Sequence, residues 1–416
     1  MRRLLVLCCA AAVIAGACGQ QSPSAQSNEL VLGAIYPLSG PQASGGKDEL
    51  AGVNAALQLA ESTGVLKTHV RLQVVDATTP QAASAAVDEL VRDYHVPAIL
   101  GTYGSTLSAA ASARAEALKT VYWETGAVAD PITAQRQYVF RTVATGSSLG
   151  RMAVTFTHDV LVPRMKPAIP RVVIVRVDDI YGHSVGGGEE ALAHSLGMNV
   201  VDVIGYNAQV YDADVIAARV AADRADVLWD VSYLADGVAI WQALLRQGVK
   251  LKAAIGTSSA FCMPAFSQEL GAGSVGVYAA DKPDADISPA ALSPAGRALL
   301  AQARSTYAAA NGGASLTISA VAGFVGGWTL FDDVINQLSG QATPDTIRTA
   351  ALRVDVPIGD SINGGGVKFG AAGALDEGQN TRSAAVVGQW QAVGDMKIVY
   401  PAAYATGIPM GMPVGP

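Results

Sequence analysis

The glycine-rich stretch "YPLSGPQASGGKDEL", residues 36–50, resembles a phosphate-binding loop in composition and follows the apolar run "ELVLGAI". Such a loop needs Gly, four residues, then Gly-Lys-Ser/Thr, because backbone N–H groups contact the phosphates and the hydroxyl holds magnesium. In the frame set by Gly46 and Lys47, the first glycine is replaced by Pro41, which has no N–H, and the hydroxyl by Asp48. The stretch therefore predicts a βα loop with turns at Gly and Pro, and no nucleotide site.

A second pattern, "GSSLG" at residues 146–150, fits the Gly-x-Ser-x-Gly turn that exposes the nucleophilic serine of many hydrolases. A serine hydrolase using Ser148 is therefore one alternative function. The acid and base candidates downstream are Asp178, Asp179, His183 and His194. Against this alternative, a new series of strands begins at Arg171, where a hydrolase would continue one sheet, and Ser147 or Ser148 also suits a helix N-cap.

The residues that bind metals in other proteins are sparse here. The five histidines show no paired ligand spacing, and Cys262 is the one cysteine outside the N-terminal segment. We therefore expect no metal site, no intrachain disulfide and no cofactor.

The elements that must position any site suggest two α/β units. The chain has 416 residues, 50% of them hydrophobic and 15% charged, which favours two well-buried domains. Apolar strand-like runs alternate with helical stretches up to "YVFRTV", and the alternation restarts at "RVVIVRVDD". Uniformly apolar strands separated by helices predict parallel sheets covered on both faces, in which ligands bind at the carboxyl ends of the strands. The net charge of −7 and the lack of a basic patch argue against nucleic acid as a partner.

The N-terminal segment "MRRLLVLCCAAAVIAGAC" has the layout of a signal peptide, with two arginines, a short apolar run and small residues before Cys18. Because a cysteine follows the small residues, the segment resembles a bacterial lipoprotein signal, with Cys18 as the acylated first mature residue. The polar, turn-rich residues 18–28 suit a flexible tether. A later uncharged stretch, residues 305–331, is interpreted as a buried helix because its firmly apolar part is short.

Several segments in order along the chain resemble the leucine/isoleucine/valine-binding family of periplasmic solute-binding proteins. They are "PLSGPQASGGKDELAGVNAAL", "AILGTYGSTLSAA", "YVFRT", "VDDIYG", "ADVLWDVSYLADG", "LLRQGVKLK" and "VYPAAYATG". The resemblance covers about Leu30 to Tyr404 and implies a type I binding protein: two doubly wound parallel-sheet lobes joined by a three-strand hinge. The implied lobes are 29–145 plus 283–382 and 146–282 plus 383–404, and residues 405–416 are expected to form a disordered tail.

The resemblance also implies which residues bind the ligand. Ser105, next to Tyr103 and Gly104 at the start of a helix, matches the serine that holds a ligand carboxylate, and a helix N-terminus favours an anion. The loop that follows the next strand, with Glu124, Gly126, Ala127 and Val128, matches residues that contact the amino group. Tyr181 and Tyr233 match two tyrosines that close over the ligand from the second lobe.

Three positions depart from the family pattern. The tyrosine expected in the first loop is Gly45, a threonine is Val128, and the acid that pairs with a ligand ammonium is Ser258. The loss at Gly45 predicts room for a larger ligand. Glu124, Asp178 or Asp230 could replace the lost acid. We therefore expect a carboxylate- or amide-bearing ligand other than leucine, isoleucine or valine, with an unusual amino acid as the alternative.

The function that this resemblance implies is capture of a small solute outside the cytoplasm, without enzymatic activity, for the permease subunits of an ABC importer. We expect a monomer anchored to the bacterial cell membrane through Cys18. The alternative within binding proteins is a ligand-sensing receptor with no transport role.

Overall fold

The computed structural model of the protein describes residues 29–166 and 169–411. The predicted signal peptide 1–17, Cys18, the tether 18–28 and residues 412–416 lie outside the described residues. Strands and helices alternate through most of the chain. In the first half they are β1 Glu29–Tyr36, α1 Ala43–Ser62, β2 His69–Asp76, α2 Pro80–Tyr94, β3 Ala98–Gly101, α3 Ser105–Ala117, β4 Val121–Glu124, β5 Val139–Arg141, α4 Gly146–Phe156, β6 Arg171–Val177, α5 Ile180–Ser195 and β7 Asn199–Tyr206. In the second half they are α6 Ala213–Ala222, β8 Val227–Val231, α7 Leu234–Arg246, β9 Ala253–Thr257, α8 Pro264–Leu270, β10 Tyr278–Asp281, α9 Pro294–Ala310, α10 Ile318–Trp328, α11 Pro344–Ala351, β11 Val386–Ala392 and β12 Asp395–Tyr400.

The strands form two sheets, each the centre of one lobe. Lobe 1 contains a parallel five-stranded sheet in the order β2-β1-β3-β4-β5, and lobe 2 a seven-stranded sheet in the order β12-β11-β10-β9-β8-β6-β7. Strands β6 to β10 of the second sheet are parallel, whereas β11 and β12 join it antiparallel. The predicted α/β fold with two doubly wound lobes is confirmed, and the antiparallel edge is an addition to it.

The core of lobe 1 depends on close contact between α1 and α10. A Cβ on Gly52 would lie 1.9 Å from the Ala320 carbonyl oxygen, and one on Gly323 would lie 1.9 Å from the Glu49 carbonyl oxygen. The helices approach to backbone distance because both positions lack a side chain. Residues Ile318–Gln337 form a helical run long and apolar enough to cross a membrane, but 83% of its most apolar window is buried inside the protein.

Helix α1 begins earlier than the sequence suggested. Gly45, Gly46 and Lys47 lie in its first two turns rather than in a glycine-rich loop. A Cβ on Gly46 would lie 2.2 Å from the Pro37 carbonyl oxygen, so the glycine permits the chain to fold back on the end of β1. The loop interpretation holds for residues 37–42, where Gly40 has a φ of 73°, and is wrong from Ala43 onward, where Gly46 serves a close approach within a helix.

Residues 405–411 are not a disordered tail. The Met410 backbone N–H donates to Gln389 Oε1 at 2.8 Å, and the Met410 carbonyl accepts from Gln389 Nε2 at 2.9 Å and from the Tyr278 hydroxyl at 2.6 Å. Gln389 is fully buried in β11. The segment therefore covers lobe 2, and the prediction of disorder is wrong for these seven described residues.

Candidate functional site

A cavity of about 520 Å³ lies between the two lobes, at the carboxyl ends of the parallel strands. Lobe 1 contributes residues that follow β1, β2 and β3, including Gln42, Thr78 and Tyr103. Lobe 2 contributes residues that follow β6, β7, β8 and β9. Strand order reverses in lobe 1 around β1 and β3 and in lobe 2 around β6 and β8. These are the switch points at which open α/β sheets bind their ligands.

The cavity lining combines aromatic rings with hydrogen-bonding groups. Three tyrosines, Tyr103, Tyr211 and Tyr233, line it together with apolar Leu107 and Met263. Three aspartates, Asp178, Asp179 and Asp236, also line it, and its described lining contains no lysine, arginine or histidine. This composition suits a small, partly apolar solute with a few polar groups.

The two lobes contact each other across the cavity. Thr106 at the start of α3 donates a hydrogen bond to Asp179 Oδ2 at 3.1 Å, and the Tyr233 hydroxyl donates to the same oxygen at 2.8 Å. The Tyr103 hydroxyl lies 3.9 Å from Met263 Sδ. Asp179 is also the N-cap of α5, so its carboxylate accepts from the helix and from lobe 1.

Gly45 does not leave open space for a ligand. A Cβ on Gly45 would lie 2.2 Å from Cζ of Tyr103, so the Tyr103 ring packs directly on the helix backbone. Both residues line the cavity, and the aromatic ring that the first loop lacks is supplied by the loop after β3. The expectation of extra room at Gly45 was therefore wrong, because Tyr103 fills it.

Ser105 lies at the first helical position of α3, with Gly104 as the N-cap and no side-chain cap hydrogen bond. Ser105 is buried, and its hydroxyl accepts a hydrogen bond from the Ala129 backbone N–H at 3.2 Å. Its role as a carboxylate ligand stays a prediction. The structure adds that the serine also ties the loop after β4 to the start of α3.

The loop after β4 is buried beside Ser105. Ala127 and Val128 are each 2% exposed, and the Val128 carbonyl accepts from the Gly146 N–H at 2.6 Å. Gly126 contacts a carboxyl group, because a Cβ there would lie 1.8 Å from Glu49 Oε2. The predicted contact of this loop with a ligand amino group stays a prediction.

Glu124 is poorly placed to pair with a ligand. Its carboxylate is fully buried and accepts from the Gly126 N–H at 2.8 Å, the Ala127 N–H at 2.6 Å and the Ser108 hydroxyl. Burial raises the pKa of Glu124 to about 7 against these hydrogen bonds. Since its acceptor sites are used internally, Glu124 organises the loop. Its predicted contact with the ligand stays a prediction.

The two other acids considered as replacements differ in their position. Asp178 is exposed, lines the cavity and has its Oδ1 2.8 Å from His183 Nε2. Asp230 is fully buried in β8; its Oδ1 accepts from the Ser232 hydroxyl at 2.5 Å, and its Oδ2 has no partner among the described residues. Burial raises the pKa of Asp230 to about 8.

The two predicted tyrosines of lobe 2 lie side by side, with ring centroids 5.2 Å apart. Tyr233 lines the cavity, whereas Tyr181 is 1% exposed and donates to the Ser258 carbonyl at 2.6 Å. Tyr181 therefore supports Tyr233 and the loop after β9. Of the predicted ligand-binding residues, only Gly45, Tyr103 and Tyr233 line the cavity as the structure shows it.

Ser258 lies next to the buried Lys282, the last residue before the predicted return of the chain to lobe 1. Lys282 Nζ donates to Ser258 Oγ at 3.5 Å and to Asp281 Oδ1 at 3.2 Å. Burial lowers the pKa of Lys282 and the Asp281 charge raises it, with a net upward shift, so the ammonium keeps its charge. Glu49 also acts on Lys282 electrostatically. Glu49, Asp281 and Lys282 are named here the hinge cluster.

Sequence signals for the hinge cluster existed. Asp281 and Lys282 directly follow an apolar strand, the position at which binding residues of α/β proteins concentrate. Glu49 shares one helical face with the buried residues Val53, Ala56 and Ala60 of α1. A carboxyl group on an otherwise apolar stripe indicates a buried polar role.

Comparison with known proteins identifies the family. A sequence profile described as periplasmic binding protein matches residues 29–394. This chain belongs to the periplasmic binding protein family. The Leu/Ile/Val-binding protein homolog 8 of Brucella abortus is similar to it, with 30% identity over 378 residues that cover 90% of this chain and 91% of the relative. The resemblance inferred from the sequence segments is confirmed.

Solved structures share the fold of this binding protein. A leucine-binding protein from Thermotoga maritima superposes with a TM-score of 0.74 at 17% identity, covering 89% of this chain and 97% of the other. A solute-binding protein of an ABC transporter from R. palustris, in complex with benzoate, has a TM-score of 0.74 at 18% identity, covering 91% of this chain and 98% of the other.

The family consists of solute-binding proteins rather than enzymes, so the prediction of no enzymatic activity is confirmed and the hydrolase alternative is dropped. The geometry agrees. Ser148 Oγ lies 2.7 Å from Thr145 Oγ1 and accepts from Arg151 at 3.1 Å, and Thr145, not a serine, caps α4. Among the residues that the structure describes, no group of three or more His, Cys, Asp or Glu side chains could hold a metal ion.

Proposed function

We propose that this binding protein captures a small carboxylate- or amide-bearing solute, such as an unusual amino acid, in the cavity between its lobes and delivers it to the permease subunits of an ABC importer. The main support for this proposal is the cavity, whose lining residues follow the carboxyl ends of strands in both sheets. A solute bound there contacts both lobes at once, so it stabilises their closed arrangement, and the importer distinguishes closed from open by shape.

The cavity and its surroundings offer the solute one polar and one apolar kind of contact. The start of α3 carries no side-chain cap, so its first N–H groups and the positive helix end favour a carboxylate or a carbonyl oxygen. The tyrosine rings of the cavity provide apolar contact area for the rest of the solute. The neighbours of similar fold are named for leucine in one case and contain benzoate in another, which supports a carboxylate-bearing solute of this size.

Ligand binding is tested by thermal-shift screening of the mature protein against amino acids, amides, urea and aromatic acids. At least one solute should raise the melting temperature, and Tyr233→Ala should reduce the increase because its ring lines the cavity. Ser148→Ala is the matched control, since Ser148 does not line the cavity and its hydroxyl is hydrogen-bonded to Thr145 and Arg151 at the start of α4. A shift of equal size in Tyr233→Ala would place the solute elsewhere.

We propose further that Cys18 carries a lipid and holds the protein on the outer face of the cell membrane. The small residues before Cys18 and the polar residues after it support this proposal. Acyl chains contribute about 0.8 kcal/mol per buried CH₂, so two or more chains retain a protein on a bilayer. Cys18→Ser should move the protein from the detergent phase to the aqueous phase or leave its signal uncleaved, and unchanged partitioning would contradict lipidation.

Transport and sensing differ in their partners. Genes for permease and ATPase subunits beside this one would support delivery to an importer. A neighbouring gene for a signalling protein, with no permease, would favour the receptor without a transport role.

A further inference from the structure

The hinge cluster contains two buried carboxyl oxygens that have no hydrogen-bond partner. Glu49 is 1% exposed and Asp281 is 2% exposed. Glu49 Oε1 accepts from the Thr125 hydroxyl at 2.6 Å, and Asp281 Oδ1 accepts from the Lys282 N–H at 2.7 Å, whereas Glu49 Oε2 and Asp281 Oδ2 accept from no described group. An unsatisfied buried acceptor of this kind costs about 1–3 kcal/mol, more when it is charged.

These two residues belong to different parts of the fold but face the same region. Glu49 lies in the second turn of α1 in lobe 1, and Asp281 ends β10 in lobe 2. The Tyr103 ring lines the cavity and packs on Gly45, one helical turn before Glu49 in α1. The Tyr103 hydroxyl lies 3.9 Å from Met263 Sδ, in the loop after β9 that also contains Ser258, which Lys282 Nζ contacts at 3.5 Å. The hinge cluster therefore lies behind the Tyr103 ring, where the lobes meet.

The charges of this region favour a hydrogen-bond donor over an anion. The one ammonium of the hinge cluster is already bonded to Asp281, at 3.2 Å. Glu49 Oε2 contacts the backbone of Gly126, in the loop that also holds Ala127 and Val128. Burial raises the pKa of Glu49 well above its usual range, so Asp281 is the group that balances the Lys282 charge, and the Cys262 thiol also interacts with Asp281. The unpartnered carboxyl oxygens attract N–H groups, and an anion placed beside them would be left without a partner.

We propose that Glu49 and Asp281 form the subsite that binds an N–H-donating head group of the solute, an ammonium or an amide, and so set the specificity of this binding protein. The inference rests on the proposed function and identifies residues that the sequence comparison did not: Ser258 occupies the position expected for an acid, and the acids come instead from α1 and β10. The subsite lies behind Tyr103, so the lobes open for the solute to reach it.

The test uses two pairs of solutes that share a carbon skeleton. Benzamide has a neutral amide where benzoate has a carboxylate, and L-phenylalanine has an ammonium group that 3-phenylpropanoate lacks. The first member of each pair therefore offers N–H donors at a position where the second offers none. Calorimetric titration of the mature protein should show the donor-bearing member of at least one pair binding about tenfold more tightly or better. Glu49→Gln and Asp281→Asn should remove that preference.

Glu189→Gln is the matched control, since Glu189 is also fully buried with two unpartnered carboxyl oxygens but lies in α5 against α4. It should leave the preference unchanged, and circular dichroism checks that each variant folds. A preference for the acids in the wild type, or a donor preference that survives both substitutions, overturns the subsite and leaves the proposed function standing. If no probe and no member of the thermal-shift panel binds at millimolar concentration, both proposals are contradicted.

Discussion

At the scale of single residues, Gly45 and Tyr103 form a complementary pair. Alanine in a helix is favoured over glycine by up to about 1 kcal/mol, but the added methyl would meet the Tyr103 ring at 2.2 Å. Overpacking of this kind costs about 1–3 kcal/mol, so the clash outweighs the helix propensity. We therefore expect Gly45→Ala to lower the free energy of unfolding measured in urea. In the Tyr103→Ala protein, where the ring is gone, the same substitution should instead raise the free energy of unfolding, because only the helix propensity then changes.

A matched position provides the control for this prediction. Gly187 is also helical, in α5, and a Cβ there would meet nothing within 4 Å. Gly187→Ala should therefore stabilise the protein slightly. If Gly45→Ala behaves like Gly187→Ala, the Tyr103 ring does not pack on α1 in solution.

A pH dependence follows from the buried carboxyl of Glu124. Burial raises its pKa from 4.5 to about 7, so the folded state binds a proton that the unfolded chain releases. Stability is then greatest below the unfolded pKa and falls as pH rises through the folded pKa. We expect the free energy of unfolding to fall between about pH 5 and 7, with Glu124 contributing at most about 3 kcal/mol.

Urea unfolding at a series of pH values measures this slope. Glu124→Gln should show a shallower pH dependence than the wild type, because the side chain at position 124 no longer titrates. Some dependence should remain, because the other buried carboxyls, such as Asp230, are retained in both proteins. The comparison concerns the slope, since the substitution also weakens hydrogen bonds to the Gly126 and Ala127 N–H groups. An equal slope in both proteins would show that Glu124 stays ionised when folded.

At the scale of elements, residues 405–411 extend lobe 2 beyond its last strand. Deleting residues 405–416 would leave the buried Gln389 amide without its two bonds to Met410. Leaving a buried polar group unsatisfied costs about 1–3 kcal/mol, so this deletion should lower the free energy of unfolding by about that amount. Deleting residues 412–416 alone is the control and should change little. Equal stability of the two truncated proteins would contradict the packing of this segment.

The element scale also shows where sequence reasoning failed. Alternation of apolar runs and turn residues predicted most strands and helices, because that pattern reflects burial. The glycines of α1 were interpreted as turn formers, yet they permit contact with Pro37 and Tyr103. Gly188 also lies inside a helix, α5, where a Cβ on it would lie 2.4 Å from the Ser147 carbonyl oxygen. A local pattern does not distinguish a glycine needed for a turn from one needed for close packing.

At the scale of the whole molecule, the two-lobed fold was predictable because its evidence is spread along the chain, and each weak segment adds to the rest. The site was predictable only in part. Tyr103, Tyr233 and Gly45 line the cavity, but the hinge cluster depends on α1, β10 and the loop after β9 meeting in space. The apolar face of α1 and the end of β10 point to Glu49, Asp281 and Lys282 separately, but no local pattern shows that the three groups meet.

The central claim is that a small solute binds between the lobes. Small-angle scattering of the mature protein, with and without the solute that gives the largest thermal shift, measures it most directly, because closure over a solute makes a two-lobed protein more compact. We predict a smaller radius of gyration on addition of that solute for the wild type and no change for Tyr233→Ala at the same concentration. An unchanged radius in the wild type at saturating solute, or equal compaction of the variant, would contradict the account.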